Sequence, residues 1–250
     1  SLDEAREGFK SALQAGGIKA EFDEQNAQGD QSTAASIAGS FAEKELDLIL
    51  AIATPTAQAV VQAIPDVPIL FTAVTDPASA ALVASNEEPG ANATGTSDKN
   101  PVTEQLELIQ QLSPEATTVG IVYSSAEENS IVQVEWAEEA AAELGLTIEV
   151  ATVSTSAEVQ QAAESLDVDA FYIPTDNTVV SALEAVLQVA EQRHIPVIAA
   201  EGDSVERGAI ATVGLSYYDL GYQTGEMAVR ILTEGADPAT MPVEYQEDLV

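Results

Sequence analysis

Apolar residues at Leu2, Ala5, Phe9 and Leu13 recur three and four positions apart, which predicts a helix at the start of the chain. A different pattern follows. AEFDEQ (20–25) alternates like a strand, a helix is expected from about Asp30 to Lys44, and LDLILAIA (46–53) is nearly continuous in apolar residues. Such a run predicts a strand buried on both faces. The two patterns then take turns. Strands are predicted at VPILFTAV, TVGIVYSS, LTIEVATV, DAFYIP, IPVIAA and AIATVGL. Between them lie helical faces built on Ala57, Val60 and Ile64, on Val102, Leu106 and Ile109, on 131–144, on 156–165, and on Val179, Leu183, Val186 and Ala190. A last helix carries Leu220, Thr224, Met227 and Ile231. Strand–helix alternation of this kind predicts α/β architecture, with parallel sheets covered by helices on both faces.

One unit occurs twice. LDLILAIATPTAQAVVQAIPDVPILFTAVTD (46–76) and VDAFYIPTDNTVVSALEAVLQVAEQRHIPVIAAEGD (168–203) each run strand, Pro-Thr step, helix, Pro-initiated strand and terminal Asp. Two doubly wound lobes explain the repeat. Between the copies, PGANATGTSDKNPVTEQ is the stretch richest in turn residues, so the first crossing between lobes is expected near Ser97–Pro101. Parallel βα units carry their ligand loops at the carboxyl ends of their strands. Facing lobes would then enclose a cleft lined by those loops.

Charge narrows the partners. There are 42 acidic residues against 8 basic ones, a net of −34, which repels phosphate backbones and anionic membranes; nucleic acid is not an expected partner. The acid is spread along the chain, as a solvated surface or a high-salt habitat would have it. With no cysteine there is no thiol nucleophile, Cys-based zinc site or disulfide. No apolar run is long enough to span a membrane.

The helix SLDEAREGFKSAL, the strand and turn PILFTAVTDPASAALV, PGANATGTSD, VYSSAEENS, IPTDNTVVSAL and the closing PVEYQEDLV together resemble the ABC-transporter substrate-binding proteins of the tryptophan/tyrosine type. The resemblance runs over nearly the whole chain. It implies a type I periplasmic-binding-protein fold, three hinge crossings, a small ligand and docking to an ABC permease. By that pattern the first lobe holds 1–98 with about 217–240. The second holds 99–216 with about 241–250, the tail strand VEYQ returning to it. The family has a strand before its first helix, and this chain begins at that helix. An extracytoplasmic monomer is expected, periplasmic or lipid-anchored, with any export signal outside these residues.

The loops at the strands' carboxyl ends are rich in acids and hydroxyls. The candidate ligand-binding residues are Thr54, Thr56, Thr75, Asp76, Ser124, Ser125, Asn129, Ser130, Thr175, Asp176, Asn177, Glu201 and Tyr217. Asp98, Glu127, Glu128 and Asp203 border them, whereas only Lys99 and Arg207 supply base nearby. A ligand bearing a cation fits such loops better than an anion held by an arginine fork. For an α-amino acid, Asp176 is the first choice to meet the ammonium, with Asp76 or Glu201 next. Asp176 also has a plainer reading as a helix cap. The segment Ser124-Ser125…Asn129-Ser130 offers donors for the carboxylate, or else caps the next helix. Tyr217 and Tyr218 read equally well as a wall for an aromatic side chain or as hinge packing. Trp136 reads as packing and His194 as a solvated turn residue.

Enzyme motifs are missing. The chain has no G-x-G-x-x-G, no G-x-x-x-x-G-K-[ST] and no G-x-S-x-G, and its one histidine is badly placed for a Ser–His pair. The expected function is solute binding for import, without catalysis, cofactor or metal, the ligand being an amino acid, with an aromatic one expected. A ligand-sensing module of a receptor or regulator shares the fold and stays open. A racemase or isomerase working through facing carboxylates is the third reading.

Overall fold

The computed structural model describes residues 2–246 and Leu249. The chain divides into two compact units. One comprises residues up to Lys99 with Ser216–Leu249, the other Asn100–Leu215.

The first unit opens with α1 (Leu2–Ala15) and α2 (Gln31–Ala42), followed by β1 (Ile49–Ile52), α3 (Thr54–Ala63), β2 (Ile69–Val74) and β3 (Ala93–Ser97). Asp30 starts α2 by accepting from the Thr33 N–H. The segment AEFDEQ forms no strand and has no ladder partner among the described residues. Side chains hold it instead: Lys10 bonds Glu24 at 2.6 Å, Lys44 bonds Asp23 at 2.5 Å, and Lys10 lies over the Phe22 ring. β3 has the sequence ATGTS and no apolar run, yet all its residues are buried. Its hydroxyls are bonded inside the unit, Thr94 to the Met241 carbonyl, and Thr96 to both Thr72 and Thr224.

The second unit contains α4 (Val102–Leu112), β4 (Thr118–Ser124), α5 (Glu128–Leu144), β5 (Thr147–Val153), α6 (Val159–Ser165), β6 (Ala170–Ile173), α7 (Asn177–Val180), α8 (Leu183–Arg193), β7 (Val197–Ala199) and α9 (Gly202–Glu206). Its sheet is parallel, in the order β5-β4-β6-β7. Alternate residues of these strands feed two cores on opposite faces. Val122, Phe171 and Ile173 pack with α7 and α8, whereas Ile121, Ala170 and Tyr172 pack with α4 and α5. The single helix expected through Val179 and Ala190 breaks at Ala182, whose backbone (φ −123°, ψ 29°) is not helical. AIATVGL is likewise not a strand and keeps one bridge, Ile198 to Ala211. The Val213 carbonyl goes instead to the side chain of buried Gln105, which also accepts from the Tyr172 hydroxyl.

The chain returns to the first unit in α10 (Tyr217–Glu234) and β8 (Glu244–Tyr245). The parallel sheet there runs β1-β2-β3-β8. VEYQ therefore does not join the second sheet as expected. Glu244 and Tyr245 pair with Thr96 and Ser97 on the open edge of β3, and Val243 is buried in the first unit's core. The Val243 N–H to the Asn86 carbonyl and the Asn86 side chain to the Tyr245 hydroxyl fix that register. Of the closing PVEYQEDLV, Glu247, Asp248 and Val250 lie outside the described residues.

Candidate functional site

In the first unit, the candidate residues follow the strands' carboxyl ends. Thr54 opens α3 and is buried, with Thr56 half-buried two residues on. Before them, Ala53 has φ 74° and ψ 152°, a conformation that costs an alanine about 1–3 kcal/mol. Thr75 and Asp76 follow β2. Asp76 accepts from the Ala78 and Ser79 N–H groups and the Ser79 hydroxyl, so it shapes its own turn. Asp98 follows β3 and is buried. The Thr75 hydroxyl donates to one of its oxygens at 3.1 Å and the Tyr217 hydroxyl to the other at 2.9 Å. Burial pushes the Asp98 carboxyl up, against those two donors. The Tyr217 ring packs on Ala5, Ala73 and Leu220, while Tyr218 is exposed.

In the second unit, the loops after β4 and β6 meet in one network. Asp176 is fully buried. One of its oxygens accepts from the Val179 N–H at 2.7 Å, capping α7. The other accepts from the Ser124 N–H at 2.6 Å and the Ser130 hydroxyl at 2.7 Å. Burial, and after it the charge of Glu127, push this carboxyl up to about 6. Glu127 is buried too, and binds the N–H groups and side chains of Asn177 and Thr178. Asn129 donates to the Thr175 carbonyl at 2.8 Å. Gln133, fully buried, donates to the Thr175 hydroxyl and accepts from its N–H. Ser125 is exposed. Glu201 caps α9, accepting from the Asp203 and Ser204 N–H groups and the Ser204 hydroxyl.

The structure thus brings together Ser124, Asn129, Ser130, Thr175, Asp176 and Asn177 in one unit, and Thr75 and Tyr217 around Asp98 in the other. Thr54, Thr56 and Asp76 share only their position at strand ends. Glu127, Gln133 and Asp98 are central to these networks although the sequence reading left them bordering or unmentioned. The signal for Glu127 was its place one residue before a helix in a serine-rich turn. Trp136 packs at the edge of the α4–α5 core, and His194 is exposed at the end of α8 with φ 59°. Among the described residues no group of three or more His, Cys, Asp or Glu is placed to hold a metal. No helix there is long and apolar enough to cross a membrane.

Comparison with known proteins supplies the family. Residues 1–250 match the ABC transporter substrate binding protein family. The tyrosine-binding protein of Clostridioides difficile is 44% identical over 249 residues, 97% of this chain and 72% of that protein. A crystal structure of a conserved domain protein from Vibrio cholerae is 41% identical with a TM-score of 0.96, covering 100% of this chain and 86% of that one. A structure from Streptococcus pneumoniae in complex with L-Trp is 37% identical with a TM-score of 0.95, over 99% of this chain and 86% of that one. The two parallel sheets are those of the type I periplasmic-binding-protein fold. With the whole sequence matched and close relatives across nearly its full length, the chain belongs to the ABC transporter substrate-binding proteins.

Proposed function

We propose that the chain is the extracytoplasmic solute-binding component of an ABC importer and that its ligand is an aromatic amino acid. The observation that carries the ligand class is the pairing of a 44% identical tyrosine-binding relative with a 37% identical structure holding L-Trp. The charge of the loops agrees with it. Arg207, one of the two bases near them, is held by Glu184 at 2.9 Å, so an arginine fork for an anionic solute has no support. A zwitterion needs one cation site and a set of N–H and O–H donors, which acid- and hydroxyl-rich loops can provide. The contacts are drawn from the strand-end loops, Thr54, Thr56 and Thr75 in the first unit and Ser124, Ser125, Asn129, Ser130, Thr175 and Asn177 in the second. Asp76, Asp176 and Glu201 hold their own loops and act on the ligand through charge. The protein works as a monomer, hands its ligand to a permease and leaves it chemically unchanged.

Thermal-shift and calorimetric panels test this. At a hundred times the dissociation constant a ligand adds about 2.7 kcal/mol of stability. Tyrosine, tryptophan or phenylalanine should raise the melting temperature and outcompete leucine and glutamate, and should be recovered unaltered. Tighter binding of a branched aliphatic amino acid or a sugar would refute the ligand class, and turnover would refute the binding role.

A further inference from the structure

The strand order of the second sheet reverses between β4 and β6, all strands staying parallel: β5 lies outside β4, and β7 lies outside β6. At such a reversal the following loops diverge to opposite faces and leave room at the strands' carboxyl ends. That divergence is visible in the cores, since α5 packs on one face and α7 on the other. Three side chains of these two loops, Glu127, Asn129 and Asp176, are at most 5% exposed. Two are acids, and among the described residues every hydrogen-bond donor to them is an N–H or O–H of a neutral group, with no lysine, arginine or histidine paired to either. Charge buried without a counterion is costly.

The amide of Asn129 fixes its own orientation. Its Nδ2 faces the Thr175 carbonyl at 2.8 Å, and a carbonyl only accepts, so the NH2 end must point there. The Oδ1 end is buried and has no donor among the described residues. An acceptor left in that state costs free energy. An orphan acceptor and two acids without a countercharge, in one place, are answered by a single kind of group, a cation that carries N–H.

We propose that Asn129 Oδ1 accepts a hydrogen bond from the ligand's ammonium, and that Glu127 and Asp176 supply the negative field around it without touching it. The proposal rests on the amino-acid reading above and names the residue that reads the amino group. It reverses the sequence expectation for Asn129, which was placed among donors for the ligand's carboxylate. It also moves the direct contact away from Asp176, whose two oxygens already accept three hydrogen bonds. A cation here relieves the repulsion between Glu127 and Asp176.

The test compares two ligands on two proteins by calorimetry. The ligands are L-tyrosine and 3-(4-hydroxyphenyl)propionate, which has the same ring, chain and carboxylate but no amino group. In Asn129→Leu, L-tyrosine should lose about tenfold to a hundredfold in affinity, while the propionate should lose less than about threefold. Equal losses for both ligands would make Asn129 a scaffold residue and overturn the proposal. No loss for either would mean that Oδ1 accepts nothing from the bound ligand, and would overturn it as well. A parent protein that binds no aromatic amino acid would overturn the proposal together with the reading beneath it. Should Asn129→Leu not fold, Asn129→Ala removes the acceptor with less disturbance, and the same ratio of losses decides.

Discussion

Asp176 is where one side chain links stability, proton uptake and the site. Its carboxyl titrates at about 6 in the folded protein against an ordinary 3.8, burial being the larger cause and Glu127 the smaller. The native state therefore holds this proton more tightly than the unfolded chain does. The stability contributed by the protonated group is fully present below about pH 4 and is lost as pH rises through about 6. The gap corresponds to roughly 3 kcal/mol. Asp176→Asn removes the titration and keeps the cap to Val179, since Asn caps as well as Asp. Its NH2 then faces the Ser124 N–H, so the variant should be less stable than the parent at pH 5. Its urea-unfolding free energy should nevertheless fall less steeply between pH 4 and 7. An unchanged slope would assign the titration elsewhere. Asp98 gives a second residue-scale expectation. Tyr217→Phe deletes one of its two hydroxyl donors while leaving the ring packed on Ala5 and Leu220. The carboxyl should rise further, and the fold should lose about 1–3 kcal/mol in denaturant titration at neutral pH. A loss below half a kcal/mol would show that the hydroxyl is not needed.

At the scale of elements, α1 and α10 approach so closely that glycine sets their distance. A Cβ on Gly221 would lie 1.8 Å from the Ala5 carbonyl oxygen, and one on Gly8 would lie 2.0 Å from that of Tyr218. Both neighbours are backbone and cannot rotate away. Gly221→Ala should force the helices apart and cost about 1–3 kcal/mol or more. Gly39→Ala, in α2 with open space around it, should instead stabilise by about 0.5–1 kcal/mol. Thermal unfolding of the two variants should move in opposite directions; a shift of the same sign in both would dismiss the close approach. The helix pattern of α1 and α10 was plain in the sequence, but their contact was not, because periodicity identifies an apolar face and not what meets it. Strands were legible where burial made them apolar, as in ILFTAV. β3 was not, since its buried hydroxyls are satisfied by Thr72, Thr224 and Met241, partners far away in the chain. AEFDEQ failed in the opposite sense, having a strand's alternation but no neighbour to pair with. The site was legible to the same extent. Position at a strand's carboxyl end picked out Ser124, Asn129 and Asp176. What each side chain does there depends on pairings 46 to 52 residues apart, such as Ser130 and Ser124 with Asp176, that no local pattern encodes.

For the whole molecule, the decisive quantity is net charge. Among the described residues, Arg6, Lys10, Lys44, Arg207 and Arg230 stand in ion pairs with acids. Even complete pairing leaves a net of −34. Compaction brings those charges closer than they are in the unfolded chain, so self-repulsion weighs on the native state. Raising salt from 0.1 to 1 M shortens the screening length from about 10 to about 3 Å and removes most of that penalty. The melting temperature should therefore rise with salt, by about 2–4 °C for each kcal/mol recovered. Sodium chloride and choline chloride should act alike, because screening depends on ionic strength and not on a cation site. Ligand affinity should behave differently. A zwitterionic amino acid has no net charge for the surface field to act on, and its ammonium, as proposed, sits beside buried groups that salt screens poorly. Calorimetry across the same salt range should give a dissociation constant constant within about threefold while the melting temperature climbs. A melting temperature that stays flat would mean that the acids are spaced widely enough not to repel, and an affinity that collapses with salt would place the ammonium at the exposed surface instead of beside Asn129.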